Sequence, residues 1–334
     1  MGATTDSSNL PYQVVTNETG RVFRVGETPR DILGYGRWVP IMAAWLAMCL
    51  AGLLEYTWGT VSGSLQAAHH WSLAQTFWAF SFFVVFESFV QIGAGYLRNR
   101  GYLPVRWATI IGGIVCGIVG YGLLAYSTTI WQAYLGYAAL GGIGSGMVYS
   151  SCINIVAKWY PERKGFLTGF VNGGWAYGAV PFIIVIGGLS GAALNMTPSQ
   201  IKNYILWQGI IMTVGICLAG IFMKDPPKNW WPKETAALVA DYYGETNNAI
   251  NYGSIYAFKA LGGSFAGGVA ALIMTGTLYG TSHFHWAFGF FFGAAIGALA
   301  ALTVAFLVKR PTREQMDAAV RKSADAQKPR PAMA

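Results

Sequence analysis

Long apolar segments, separated by shorter polar connections, recur along almost the whole of this 334-residue chain. Each contains roughly 20 residues with very few charges, the length that an α-helix needs to cross the hydrocarbon core of a bilayer. We therefore predict an all-α fold, a polytopic membrane helical bundle of about eight transmembrane helices. The predicted spans are Trp38–Ser62, Leu73–Leu97, Trp107–Tyr126, Ile130–Val156, Gly165–Ile186, Tyr204–Met223, Tyr252–Thr277 and Trp286–Val308.

The spacing of these spans divides the chain into five parts. A polar tail (1–37) precedes a six-helix membrane unit (38–223), and a linker (224–251) leads to two further helices (252–308) and a second tail (309–334). The first tail lacks an apolar core and a small-residue cleavage site, so we predict no signal peptide. Glycines recur at helix-contact spacing in several spans, which predicts close packing of their backbones.

Basic residues are distributed unevenly between the two sides of the predicted bundle. The formal net charge is +8, and twenty of the 22 Lys and Arg residues lie in the tails and the even-numbered connections, against Lys202 alone in the odd-numbered ones. By the positive-inside rule, we expect a multi-pass protein of the cell inner (plasma) membrane with both termini in the cytoplasm. The lipid bilayer explains the basic composition, and we expect no nucleic-acid partner.

Lys259 is the only basic residue inside a predicted span. An ammonium in hydrocarbon costs about 2.5–3.5 kcal/mol on insertion scales, so such a residue normally faces a polar cavity and marks a ligand or ion path. The alternative is a lysine near a helix end that extends to the membrane interface. Lys259 lies about seven residues inside its span, roughly 10 Å at 1.5 Å per residue, which a long side chain almost covers.

Two acidic residues also lie within predicted spans and are candidates for ion coupling or for pairing with a positive charge. Glu55 lies near the end of the first span, where exposure at the membrane interface is the alternative. Glu87 lies midway along the second span. A carboxyl group at that depth either pairs with a cation or retains a proton.

The histidines and cysteines form no arrangement that predicts a metal site or an enzyme. His69 and His70 share one outward connection, and His283 and His285 share another, but each pair offers too few ligands for a metal. The four cysteines lie singly in separate spans, without CxxC spacing, and are interpreted as packing residues. We therefore predict no catalytic residue, no metal and no cofactor.

Two motifs carry a resemblance to a known family. The segment 154–170 contains W-[FY]-P-[DE]-[KR]-[KR]-G followed by a G-F pair, and Asn251-Tyr-Gly253 precedes Lys259 and a run of glycines. Both are similar to the oxalate/formate antiporter branch of the major facilitator superfamily. The resemblance covers about 280 residues, and it implies a six-helix N-terminal half plus two C-terminal helices of that fold.

The resemblance also implies a chamber for a small carboxylate anion. Lys259 would be the counter-charge of the anion. Aromatic residues at positions that line the cavity in the family are Tyr56, Tyr149, Trp175 and Tyr256, and Gln75 resembles a polar cavity residue of the second span.

The chain departs from the family in two places. Asn99 occupies the position at which the connection between the second and third spans usually has an aspartate that acts as a charge latch. A family member has twelve spans, and helices seven to nine, most of ten and an anion-binding arginine have no counterpart between Glu234 and Thr235. The short apolar run before Asp241 resembles the tail of a helix whose beginning is absent.

These observations favour a membrane transporter of small carboxylates, an oxalate/formate-type exchanger that works by alternating access and is impaired by an internal deletion. The alternative is a non-transporting accessory subunit or an inert deletion product. With only two helices in the second half, polar cavity groups would be left facing lipid. We therefore expect a homo-oligomer or another membrane subunit to cover them.

Overall fold

The computed structural model describes residues 12–16, 22–183, 197–232 and 299. These residues form a helical membrane bundle, as predicted. Five described helices are long and apolar enough to cross a bilayer: Trp38–His69, Leu73–Asn99, Val105–Ala125, Ile130–Trp159 and Pro198–Phe222. They are the first, second, third, fourth and sixth predicted spans. The fifth begins with the helix Lys164–Tyr177 and is helical again over 179–183.

The last two predicted spans, Tyr252–Thr277 and Trp286–Val308, lie outside the described residues except for Leu299. The division of the chain into five parts therefore stays a prediction.

Capping motifs set where several spans begin. At the sixth span, the Thr197 hydroxyl accepts from the backbone N–H of Gln200, and the Gln200 side chain accepts from the backbone N–H of Thr197. This exchange satisfies N–H groups that a helix leaves without partners, so the helix begins at Pro198, earlier than predicted. The same motif precedes the second and fourth spans, at Ser72 and Thr129.

The first, third and fourth spans are not regular α-helices over their whole length. The first consists of the helices Trp38–Ala51, Leu53–Tyr56 and Trp58–His69. The third consists of Val105–Ile114, a π-helical segment Val115–Tyr121 and Gly122–Ala125. The fourth consists of Ile130–Ala133, a π-helical segment Tyr134–Gly141 and Gly142–Trp159. Wide π-helical turns occur often at functional sites, so the interior that these spans share is where a site is expected.

Side chains from other spans brace the interruption of the first span. The Tyr137 hydroxyl donates to the carbonyl of Leu54 at 2.9 Å. Thr57 donates to the carbonyl of Leu53 at 2.7 Å and accepts from Nε2 of Gln208 at 2.8 Å. The fourth and sixth spans therefore hold the first span where its own helix is interrupted.

Glycine lets neighbouring spans approach backbone to backbone. A Cβ added at Gly146 would lie 2.3 Å from the carbonyl oxygen of Glu87, and one at Gly142 would lie 2.6 Å from that of Phe83. The fourth span can approach the second this closely only because both positions lack a side chain. The close backbone packing predicted for the glycines is thus confirmed at these two positions of the fourth span.

A small sheet lies at one end of the bundle. Its strands are β1 (Gln13–Thr16), β2 (Val22–Val25) and β3 (Trp230–Trp231), in the order β1-β2-β3, with β1–β2 antiparallel and β2–β3 parallel. Trp230 packs against Trp159 at the end of the fourth span, with ring centroids 4.9 Å apart. The sequence did not predict this sheet, because strands of two to four residues are too short to show an alternating pattern.

We call this end of the bundle the basic end. It comprises the sheet, the short helix Pro29–Leu33, the connections 100–104 and 160–163, which include the 3-10 turn Pro161–Arg163, and the segment 223–232.

Candidate functional site

Three residues singled out from the sequence meet where the first, fourth and fifth spans converge. Nε1 of Trp175 donates to Oε2 of Glu55 at 2.8 Å. The rings of Tyr149 and Trp175 lie edge to face, with centroids 5.0 Å apart and planes at 82°. The Tyr149 hydroxyl donates a short hydrogen bond to Oδ1 of Asn172. We call Glu55, Tyr149, Asn172 and Trp175 the polar cluster.

Glycine contacts between the first and fifth spans hold the cluster in place. A Cβ at Gly52 would lie 2.0 Å from the carbonyl oxygen of Trp175, and one at Gly178 would lie 2.2 Å from that of Cys49. The two backbones therefore approach each other at Trp175 and about one turn after it. This contact fixes the indole within reach of Glu55, three residues beyond Gly52.

The members of the cluster differ in exposure. Tyr149 and Trp175 are buried, at 3% and 4% exposed, whereas Glu55 is half-buried and Asn172 is exposed. Tyr56 follows Glu55 directly and is 45% exposed. The aromatic rings thus form the base of the cluster, and the polar ends of Glu55 and Asn172 lie nearer its open side.

Gln75 lies elsewhere. Its side chain accepts from the backbone N–H of Ser72 at 2.8 Å, and its carbonyl accepts from the hydroxyl of Tyr134 at 3.1 Å. Tyr134 and Tyr149 are fifteen residues apart on one span, roughly 20 Å at the rise of a helix. The structure therefore gives Gln75 a capping role apart from the polar cluster, and the cavity position that the resemblance implies stays a prediction.

Glu87 is fully buried where the second span packs on the fourth. It lies one turn after Phe83, whose ring stacks on Tyr137 with centroids 5.1 Å apart. Tyr137 in turn reaches the carbonyl of Leu54, next to Glu55. The two acidic residues predicted as coupling candidates therefore both lie near one buried tyrosine, Tyr137. The other two predicted site residues, Lys259 and Tyr256, lie outside the described residues.

Asn172 was missed by sequence reasoning. The available signal was its spacing, because a residue three positions before Trp175 lies on the same face of the helix. Polarity alone did not single it out, since an asparagine in a glycine-rich span has many other roles.

A second charged group that the sequence did not predict lies at the basic end. Nζ of Lys158 donates to Oδ1 of Asp225 at 2.9 Å, and Nη2 of Arg98 lies 3.5 Å from the same oxygen. The Arg98 side chain is only 2% exposed, and its Nη1 donates to the carbonyl of Ser150 at 3.0 Å. Burial alone would raise the pKa of Asp225, but the charges of Arg98 and Lys158 outweigh it and hold that pKa below its ordinary value.

Comparison with known proteins identifies the relatives of the chain. The sequence model of the Major Facilitator Superfamily matches residues 44–237. The chain is similar to the "Uncharacterized MFS-type transporter YhjX" of Escherichia coli (strain K12), at 26% identity over 206 residues, which are 62% of this chain and 49% of the relative.

It is also similar to the "Oxalate:formate antiporter" of Oxalobacter formigenes, at 24% identity over 206 residues (62% of this chain, 47% of the relative). A third similar protein is "Monocarboxylate transporter 14" of Homo sapiens, at 22% identity over 201 residues (60% of this chain, 38% of the relative). The chain spans about half the length, or less, of these curated relatives.

Proposed function

Because the chain belongs to the Major Facilitator Superfamily, we propose that it takes part in moving a small carboxylate anion across a membrane by alternating access. The substrate class is suggested by the relative named as an oxalate:formate antiporter and by the sequence motifs around Trp159 and Lys259. Alternating access requires a site near the middle of the bundle that opens to each side in turn. It requires no enzymatic chemistry.

The polar cluster is the observation that carries this proposal. Polar and ionisable groups inside a membrane bundle are costly unless they face a partner, a cavity or water, and they commonly mark a substrate path. Here three spans bring a carboxylate, an amide and two hydrogen-bonding aromatic rings together. Aromatic walls with a few converging polar groups are typical of a small-molecule site.

We assign Lys259 as the counter-charge of the anion, with Tyr256 and Tyr56 as further lining residues. An ammonium and a carboxylate at about 4 Å attract each other by about 4 kcal/mol at an effective dielectric constant near 20, before desolvation costs. Glu55 or Glu87 would supply ion coupling. Both acids lie near the buried Tyr137, and Glu55 belongs to the polar cluster, which supports this role.

We further propose that the basic end faces the cytoplasm of an inner-membrane protein. The described parts of the first tail, of the second-to-third and fourth-to-fifth connections and of the segment after the sixth span lie at this end, and these parts are rich in basic residues. This arrangement agrees with the positive-inside rule.

A second candidate function is a non-transporting membrane subunit or an inert deletion product. The matched region covers only 49% and 47% of the lengths of the two relatives. This favours the second candidate, because alternating access moves two halves of a transporter against each other around one site. A second copy of the chain or another membrane subunit would then complete the chamber.

Counterflow of labelled formate and oxalate into proteoliposomes tests the proposal. We expect saturable exchange by the unaltered chain and at least a tenfold loss of apparent affinity, about 1.4 kcal/mol, in Lys259→Ala. Lys202→Ala is the matched control, since Lys202 lies 3.8 Å above the ring of Tyr126 in a predicted outward connection. Exchange that is absent in the unaltered chain, or equal in Lys259→Ala, contradicts the proposal.

A further inference from the structure

The donors within the polar cluster are not equally available to a substrate. A tyrosine hydroxyl has one hydrogen and an indole has one N–H. The Tyr149 hydrogen is used on Oδ1 of Asn172, and the Trp175 hydrogen is used on Oε2 of Glu55. Neither ring therefore offers a hydrogen to an anion while these bonds hold.

Asn172 differs from both rings. Its Oδ1 accepts from Tyr149, so its Nδ2 points the other way, and the two N–H groups of that nitrogen donate to no described residue. The side chain is exposed, whereas Val171 before it and Gly174 and Trp175 after it are buried. The bond from Tyr149 thus decides which end of the amide faces outward, and it is the donor end.

We propose that the Asn172 amide donates directly to the carboxylate of the substrate and that Tyr149 positions it through their hydrogen bond. This inference rests on the proposed function, and it names the group that receives the anion on the side of the fifth span. It also gives Tyr149 a positioning role, whereas the family resemblance implied that Tyr149 lines the cavity. Tyr149 acts through Asn172 instead of contacting the substrate with its own hydrogen.

The chemistry that fits is an unprotonated carboxylate. A carboxylate oxygen accepts hydrogen bonds, and a bond from an amide to a charged acceptor is stronger than one between neutral groups. Asn172→Asp keeps the shape and the oxygen that Tyr149 contacts, but replaces the two N–H groups with an acceptor. It therefore removes the proposed donor and leaves the rest of the cluster in place.

The test measures equilibrium binding of labelled formate and of labelled oxalate to the purified full chain. We expect Asn172→Asp to weaken binding at least tenfold and Asn172→Ala to weaken it less, because alanine adds no repulsive charge. Tyr149→Phe retains the ring contact with Trp175 but releases the amide, so a loss of about threefold to tenfold is expected. Asn203→Asp and Tyr177→Phe make the same changes at exposed positions and should bind as the unaltered chain does.

The double variant Asn172→Ala/Tyr149→Phe separates positioning from direct contact. If Tyr149 acts through Asn172, adding Tyr149→Phe to Asn172→Ala causes no further loss, whereas independent contacts add. A melting temperature near that of the unaltered chain shows that a variant is folded, and Asn172→Ser replaces an Asn172 variant that is not.

The other possible results would overturn the role of Asn172, the role of Tyr149 or the proposed function. Unchanged binding in Asn172→Asp and in Asn172→Ala overturns the inference but leaves the proposed function standing. A further loss in the double variant overturns the positioning role of Tyr149. Failure of the unaltered chain to bind either anion overturns the proposed function and the inference together.

Discussion

Removing the carboxylate of Asp225 should destabilise the bundle at its basic end. Asp225 follows the sixth span, while its two cationic partners belong to the second and fourth spans. One carboxylate therefore ties three spans together. In Asp225→Ala the guanidinium of Arg98, with a side chain only 2% exposed, keeps its bond to the carbonyl of Ser150 but loses its nearest negative charge.

The two contacts contribute unequally. Lys158 is 38% exposed, so its ion pair contributes at most about 1 kcal/mol. Arg98 is buried, and removing the partner of a buried charge costs about 3–5 kcal/mol. Asp225 itself is 28% exposed, which lets water replace part of the lost interaction. We therefore expect Asp225→Ala to lower the free energy of unfolding by about 2–4 kcal/mol, and Asp225→Asn by somewhat less.

The lowered pKa of Asp225 also determines how its contribution to the stability of the folded chain depends on pH. The pKa of Asp225 is lower in the folded chain than its ordinary value of about 3.9. The ionised group therefore stabilises the folded state, and this contribution is fully present above pH 3.9 and is lost as the pH falls through the lowered pKa. Between pH 5 and pH 8 the difference between the unaltered chain and Asp225→Asn should be constant, and it should shrink only below about pH 4.

Denaturation in detergent micelles, followed by tryptophan fluorescence, measures these differences. Lys228→Ala is the matched control, because Lys228 is exposed in the same segment, and we expect its stability to be unchanged. Arg98→Met/Asp225→Ala should be more stable than Asp225→Ala alone, since it leaves no unpaired buried cation. Equal stability of Asp225→Ala and the unaltered chain, or a double variant that is weaker still, would refute the reasoning.

Two further predictions concern packing and topology. Gly52→Ala should destabilise the bundle by about 1–3 kcal/mol and disturb the polar cluster, because its methyl group would lie 2.0 Å from the carbonyl oxygen of Trp175. Gly59→Ala, with no atom within 4 Å of the added carbon, should be neutral or stabilising, and equal stabilities would contradict the packing argument. In a cysteine-free background in intact cells, Ser199→Cys should react with a membrane-impermeant thiol reagent while Arg163→Cys stays protected. The reverse pattern would refute the orientation.

The five membrane spans that the structure describes were predictable because the bilayer imposes both their length and their composition. A transmembrane segment must satisfy every backbone group within itself, so it is a helix, and it must be about 20 residues long and apolar. These constraints act on the local sequence alone. The ends were less certain, because they depend on individual capping residues such as Thr197 and on the chain continuing as helix to His69.

The polar cluster was predictable in part. Family resemblance singled out Tyr149 and Trp175, and the cost of charge in a membrane singled out Glu55. Which of them touch depends on how each helix is rotated, and successive residues on a helix point about 100° apart. Gln75 shows the consequence, since at the start of its helix it serves as a cap. Asn172 shows the converse, because its proposed role depends on a partner 23 residues earlier in the chain.

The position of Asp225 bears on the departure from the family at Asn99. The resemblance implies an acid in the connection after the second span, and this chain has an asparagine there. The structure places a carboxylate beside the neighbouring residue Arg98, but supplies it from the segment after the sixth span. That segment is also held by Trp159, whose Nε1 donates to the carbonyl of Lys224 at 2.8 Å.

An acid within the connection after the second span would move with that span, whereas Asp225 moves with the sixth. Any motion that separates the ends of these two spans must therefore break the ion pair. The ion pair therefore resists relative movement of the second and sixth spans at this end of the bundle.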